Sequence, residues 1–224
     1  MKATALKQRP DAPRHHLTDR VIAAYAAGTL PEAFSLVVAS HVSLCDDCRA
    51  AVAAAEAVGG AVLDRVDEVR MDPGALDAVL ARLGAAPEAL PKPAPRATGV
   101  FPEPLRAYVG GDLDAVRWKR VGGGVKQAVL AQADGASVRL LSIPGGQAMP
   151  EHGHGGLELT LVLQGAFADG DERFQRGDVE TEDATDQHVP VAEPGQTCIC
   201  LAATDAPLRF TSFLPRLVQP FVRI

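Results

Sequence analysis

The sequence predicts an α+β chain in two parts: an N-terminal all-α bundle stabilised by metal, and a C-terminal all-β barrel. Three observations predict this. Residues 18–85 are rich in Ala, Leu, Val and charge, with apolar residues at helical spacing. Beyond about residue 105, short apolar runs such as AVLAQA, SVRLLSI, LELTLVL and TCICLAA alternate with Gly, Pro and Asp, the punctuation of strands and turns. Between the two, PEALPKPAPRATGVFPEP holds six of the seventeen prolines, and such a stretch neither continues a helix nor joins a sheet. The expected organisation is a helical domain over residues 1–86, a Pro-rich linker over 87–104 and a β domain over 105–224.

Four helices are expected. Thr18 caps the first, DRVIAAYAA, which stops at Gly28. Pro31 opens the second, EAFSLVVASHV, because proline suits a first turn. Asp46 and Asp47 complement the dipole at the start of a third, which the pattern carries to about Val69 with a soft point at Gly59-Gly60. Asp72-Pro73 opens a fourth, ending at Gly84, whose Leu76, Val79, Leu80 and Leu83 form one apolar face. In the β part, Gly122-Gly123-Gly124 lacks a following Lys-Ser/Thr and reads as a hairpin or strand bend. Trp118 is expected in the core, and LRFTSFLPRLVQPFVRI is expected to form a last strand and a tail over the barrel.

Composition excludes several functions. Of 224 residues, 47% are apolar, enough for a buried core, and the net charge of −6 is spread along the chain. That charge argues against broad binding to nucleic acid or to an anionic membrane. Aromatics at 4% leave little for base stacking. No apolar run approaches the ~20 residues of a membrane span, and MKATALKQRPDAPRHH has no apolar stretch of a signal peptide. The expected location is the cytoplasm, where four cysteines are thiols or metal ligands before they are disulfides.

The first candidate site is HVSLCDDC, in which His41 precedes Cys45 and Cys48 at the joint between two helices. Tetrahedral structural zinc takes four N or S ligands, and a helical domain this small has a thin core that a metal would reinforce. The fourth ligand is expected from His15-His16, just ahead of the first helix. The plainer alternative is two buried thiols and a helix-terminal histidine. The pattern resembles the zinc-binding anti-sigma domain over roughly residues 14–85. That resemblance selects His16 over His15, giving His16, His41, Cys45 and Cys48.

The second is GQAMPEHGHGGLELTLVLQG, or G-x5-H-x-H-x3-E-x6-G. His152, His154 and Glu158 share one parity along extended chain, hence one face. Two imidazoles and a carboxylate make half a site for a divalent metal. The spacing is similar to the first cupin motif throughout. Downstream, Gly177 and His188 stand as in the second cupin motif, while Asp183, Thr185 and Ala192 replace its usual Pro, Gly and Asn. The resemblance implies a jelly-roll barrel with ligands His152, His154, Glu158 and His188. The metal is expected to be zinc, although these ligands suit Zn, Mn, Fe and Ni alike. Cys198 and Cys200 share one face of a strand and are expected as small packing residues, with a redox pair as the alternative.

Together the two modules resemble the ChrR-type anti-sigma factors over nearly the whole chain. This implies a cytoplasmic transcriptional regulator. Its helical domain would hold one extracytoplasmic-function-type sigma factor, one-to-one, and its cupin would sense singlet oxygen or organic hydroperoxides. No catalytic residue, organic cofactor, direct nucleic-acid contact or membrane contact is expected. The competing expectation is a metal-dependent, dioxygenase-like cupin enzyme with a helical accessory domain.

Overall fold

A computed structural model describes residues 12–83 and 99–210. The helices are α1 (Asp19–Ala26), α2 (Glu32–Val42), α3 (Asp46–Leu63), α4 (Ala75–Leu83) and α5 (Glu103–Val109), with a 3-10 turn at Leu113–Ala115. The strands are β1 (Lys119–Gly122), β2 (Val125–Ala133), β3 (Ala136–Ile143), β4 (His152–Gly153), β5 (Glu158–Gln164), β6 (Ala166–Asp169), β7 (Glu172–Gln175), β8 (Val179–Glu182), β9 (Gln187–His188), β10 (Val191–Ala192), β11 (Cys198–Thr204) and β12 (Arg209–Phe210). Much of the expected linker and the tail beyond Phe210 lie outside the described residues.

Local chemistry sets the helix starts. Thr18 accepts a hydrogen bond from the Val21 amide, and Gly28, at φ +67°, closes the turn after α1. Cys45 caps α3, its Sγ accepting from the Cys48 amide. Two elements differ from expectation. α3 stops at Leu63 and not near Val69. It buries only Cys48 and Val52, and Asp64, Asp67 and Glu68 would crowd negative charge onto its C-terminal dipole. α5 was not expected, yet Pro104 suits its first turn and Gly110, in the left-handed region, ends it.

The β part closes into a barrel. A six-stranded antiparallel sheet, ordered β1-β2-β3-β11-β5-β8, faces two three-stranded sheets, β10-β6-β7 and β12-β4-β9. The three glycines after Val121 make the β1–β2 turn, all with positive φ. Alternation along the strands separates two cores. Leu159, Leu161, Ile199, Leu201 and Val138 face the helices. Val162, Cys198, Cys200, Phe167 and Phe174 fill the barrel interior. β11 is therefore buried on both faces, which explains its unbroken apolar run. Trp118 is only partly buried, packed against the helix-side core.

The helices and the sheet share that helix-side core. α2 buries seven of its residues, and Phe34, Val37 and Val38 belong to one apolar cluster with Leu140, Leu161 and Leu201 of the sheet. Phe101 and Leu105 of the α5 region complete it. Phe34→Ala is expected to destabilise the protein by about 3–5 kcal/mol through the cavity it leaves, read as a lower midpoint in denaturant unfolding. A midpoint within error of the wild type would mean that the seam is not packed.

Candidate metal centres

The first expected ligand set converges. His16, His41, Cys45 and Cys48 present ligand atoms all within 4.8 Å of one another. His16 Nδ1 lies 3.3 Å from Cys45 Sγ and 3.7 Å from Cys48 Sγ. His41 sits in the last turn of α2, and its Nδ1 donates to the carbonyl of Gly177, 2.8 Å away on the barrel. That bond assigns the proton to Nδ1 and leaves Nε2 as a lone pair. His41 Nε2 is buried and has no hydrogen-bond partner. Such an orphan is costly, and a cation among the two thiols would satisfy it. Burial lowers the His41 pKa to about 4, so the ring stays neutral, as a ligand must. Burial likewise pushes the Cys48 thiol up to about 11, which a bound cation would reverse. His15 points elsewhere: its ring packs 4.2 Å from that of Phe174.

The second set converges in part. His152 and His154 flank Gly153 on and beside β4, and β9 pairs His188 directly opposite His152. His188 Nε2 lies 3.1 Å from Nε2 of both other rings. His152 Nδ1 donates to the Pro150 carbonyl at 2.8 Å, and His188 Nδ1 to Asp169 Oδ2 at 2.9 Å. Oxygen acceptors on both Nδ1 atoms leave two Nε2 lone pairs facing each other, and the group that reconciles them is a cation. Glu158 stands outside this three-His group, with Oε2 3.5 Å from His154 Nδ1. At that distance it is an ion pair and not a hydrogen bond. Burial works against both charges, but the pair outweighs it: His154 is raised and Glu158 lowered from their ordinary values. The residues fit a divalent metal with nitrogen ligands and an adjacent carboxylate.

The sequence reasoning missed an acidic wall behind His188. Asp169, Glu180 and Glu182 lie with His188 in one group of potential ligand atoms. Glu182 pairs with Glu158 across β5 and β8, and Glu180 with Thr160. Burial, then the neighbouring carboxylates, raise Glu180 to about 9, and burial raises Glu182 to about 7. Their period-two spacing beside an apolar valine was the available signal. Cys198 and Cys200 are buried in the barrel core with Sγ atoms 3.5 Å apart, and all four cysteines are free thiols.

Comparison with known proteins places the β part first. A family model described as the ChrR cupin-like domain matches residues 107–207. Over 211 residues the chain is 58% identical to the anti-sigma-E factor ChrR of Cereibacter sphaeroides, covering 94% of this chain and 99% of that relative. The chain belongs to the ChrR family of anti-sigma factors. A crystal structure of Rhodobacter sphaeroides SigE in complex with the anti-sigma ChrR contains a similar chain, with a TM-score of 0.75 and 53% identity over 86% of this chain and 99% of that one.

Proposed function

We propose that this protein is an anti-sigma factor, a regulator and not an enzyme, whose partner is a sigma factor of RNA polymerase. A relative 58% identical is an anti-sigma-E factor, and a similar chain 53% identical was crystallised in complex with SigE. The observation that carries the reading within this chain is a solvent-exposed apolar helix face. On α4, Leu76, Val79, Leu80 and Leu83 are 51–73% exposed, and among the described residues of that helix none is buried. Val58, Val62 and Leu63 at the end of α3 are equally exposed. Water-facing apolar stripes at helical spacing are what a helical partner covers. Residues 1–86 would form the sigma-binding module, and the expected stoichiometry is one-to-one. The location proposed is the cytoplasm, where sigma acts; no described helix is long and apolar enough to cross a membrane.

In this reading His16, His41, Cys45 and Cys48 hold structural zinc, which would fix the joint of α1, α2 and α3. His152, His154, Glu158 and His188 hold a divalent metal, zinc by preference, at the cupin centre. The cupin is the sensor, and oxidative stress, singlet oxygen or organic hydroperoxide, is the signal that releases sigma. Imidazole and thiol ligands are vulnerable to such oxidants. The enzyme alternative is set aside because a close relative over nearly the whole chain is a regulator.

The division of labour is testable with His188→Ala and Glu158→Ala. Both should bind sigma as the wild type does, because both residues belong to strands of the barrel while the exposed apolar residues belong to α3 and α4. In a reporter strain both should keep sigma-dependent transcription off before and after singlet-oxygen stress. Normal induction in either variant would remove the sensor role from the cupin metal.

A further inference from the structure

We propose that the barrel supplies the outer hydrogen-bond partners of the helical zinc site, through the Gly177-Asp178 turn, and so controls how tightly that zinc is held. The proposal rests on the reading that the Cys/His group binds zinc.

Both histidine ligands depend on this one turn. The Gly177 carbonyl accepts from His41 Nδ1 at 2.8 Å in a buried bond. The neighbouring Asp178, fully buried, accepts from the amides of Arg14 at 2.6 Å and His15 at 3.1 Å through Oδ1, which tethers the backbone immediately before His16. The Val179 amide adds a bond to the His15 carbonyl at 3.3 Å, so this segment runs along the start of β8. Asp178 Oδ2 meanwhile accepts from the Gln175 amide at 2.8 Å, closing the turn between β7 and β8. The fit is close: a Cβ on Gly177, whose φ is +93°, would stand 2.8 Å from Cγ of Pro13. The cysteine ligands differ, since Cys45 is oriented within its own helix cap.

Partners that orient a metal-bound histidine typically contribute about 10–100-fold to metal affinity. Here they come from the other part of the molecule. The same turn leads into β8, whose Glu180 and Glu182 belong to the acidic group around His188. A shift of β8 at the cupin centre therefore reaches His41 and His16 through covalent chain and four hydrogen bonds. Linkage makes the effect reciprocal: zinc in the helical site favours the docked turn, and the docked turn favours zinc.

The test uses the full-length protein. Zinc per chain is measured by elemental analysis, and release is followed with a chromogenic chelator in the wild type, Cys45→Ser, Asp178→Asn and Gly177→Ala. Asp178→Asn and Gly177→Ala should release one zinc about tenfold faster or more, with the cupin metal and the circular dichroism of the zinc-loaded state unchanged. Release at the wild-type rate from both folded variants would overturn the proposal. If Cys45→Ser leaves the zinc count unchanged, the zinc reading itself is wrong and the proposal falls with it. A second measurement needs no variant at the turn. Removing the helical zinc from the wild type should speed hydrogen exchange at the Val179 amide, and unchanged protection there would also overturn the proposal.

Discussion

Replacing Cys45 with Ala is expected to abolish sigma inhibition and to unfold part, not all, of the helical region. Apparent binding energies of structural zinc run to about 10–16 kcal/mol, comparable with the whole stability of a small domain. α1 buries only Val21 and Ile22, and α3 only Cys48 and Val52, so neither has a core to fall back on. α2 has one, because seven of its residues are buried and its apolar side chains share a core with the sheet. The expected product is a folded barrel with α2 still seated and α1 and α3 lost. Far-ultraviolet circular dichroism should show a partial loss of helix. The sigma-dependent reporter should be on with and without stress. A Cys45→Ala protein that keeps its full helix content and still inhibits would show that zinc is not structural here.

The second large effect concerns the apolar face. Leu76→Asp combined with Leu80→Asp should weaken sigma binding on the order of a thousandfold. Each leucine contributes about 1.5–3 kcal/mol on burial, and a carboxylate in its place would have to be desolvated in the complex. Both positions are exposed in the free protein, so its thermal unfolding should move little. Titration of sigma by calorimetry checks the first statement and a melting curve the second. Unchanged affinity would move the docking surface off α4.

The ligand spacings were legible in the sequence because they are local. His41, Cys45 and Cys48 lie within one helix joint, and His152 and His154 alternate along one short stretch of chain. Thr18, Pro31 and Gly28 marked helix boundaries for the same reason. The docking of α2 on the sheet was not read, although FSLVVASHV is apolar on nearly every side, the mark of a helix covered all round. The missing information was the identity of its second partner, which is far away in sequence. Asp169, Glu180 and Glu182 escaped for a related cause. Acidic residues on a short strand read as a solvated face until the barrel closes over them. The end of α3 at Leu63 depended on the absence of packing beyond it, which no local pattern reports. Glu158 shows the reverse case: its sequence parity matches that of the histidines, while its carboxylate lies 3.5 Å from His154 Nδ1, beside the three-His group.

The most direct measurement of the central claim is the mass of the complex formed when the purified protein is mixed with a co-expressed candidate sigma factor from the same genome, by size-exclusion chromatography with light scattering. An anti-sigma factor with an open apolar face predicts a single species with the summed mass of one copy of each chain, lost in the Leu76→Asp, Leu80→Asp variant. Separate elution of the two proteins at micromolar concentration, for every sigma factor of the extracytoplasmic-function type tested, would contradict it.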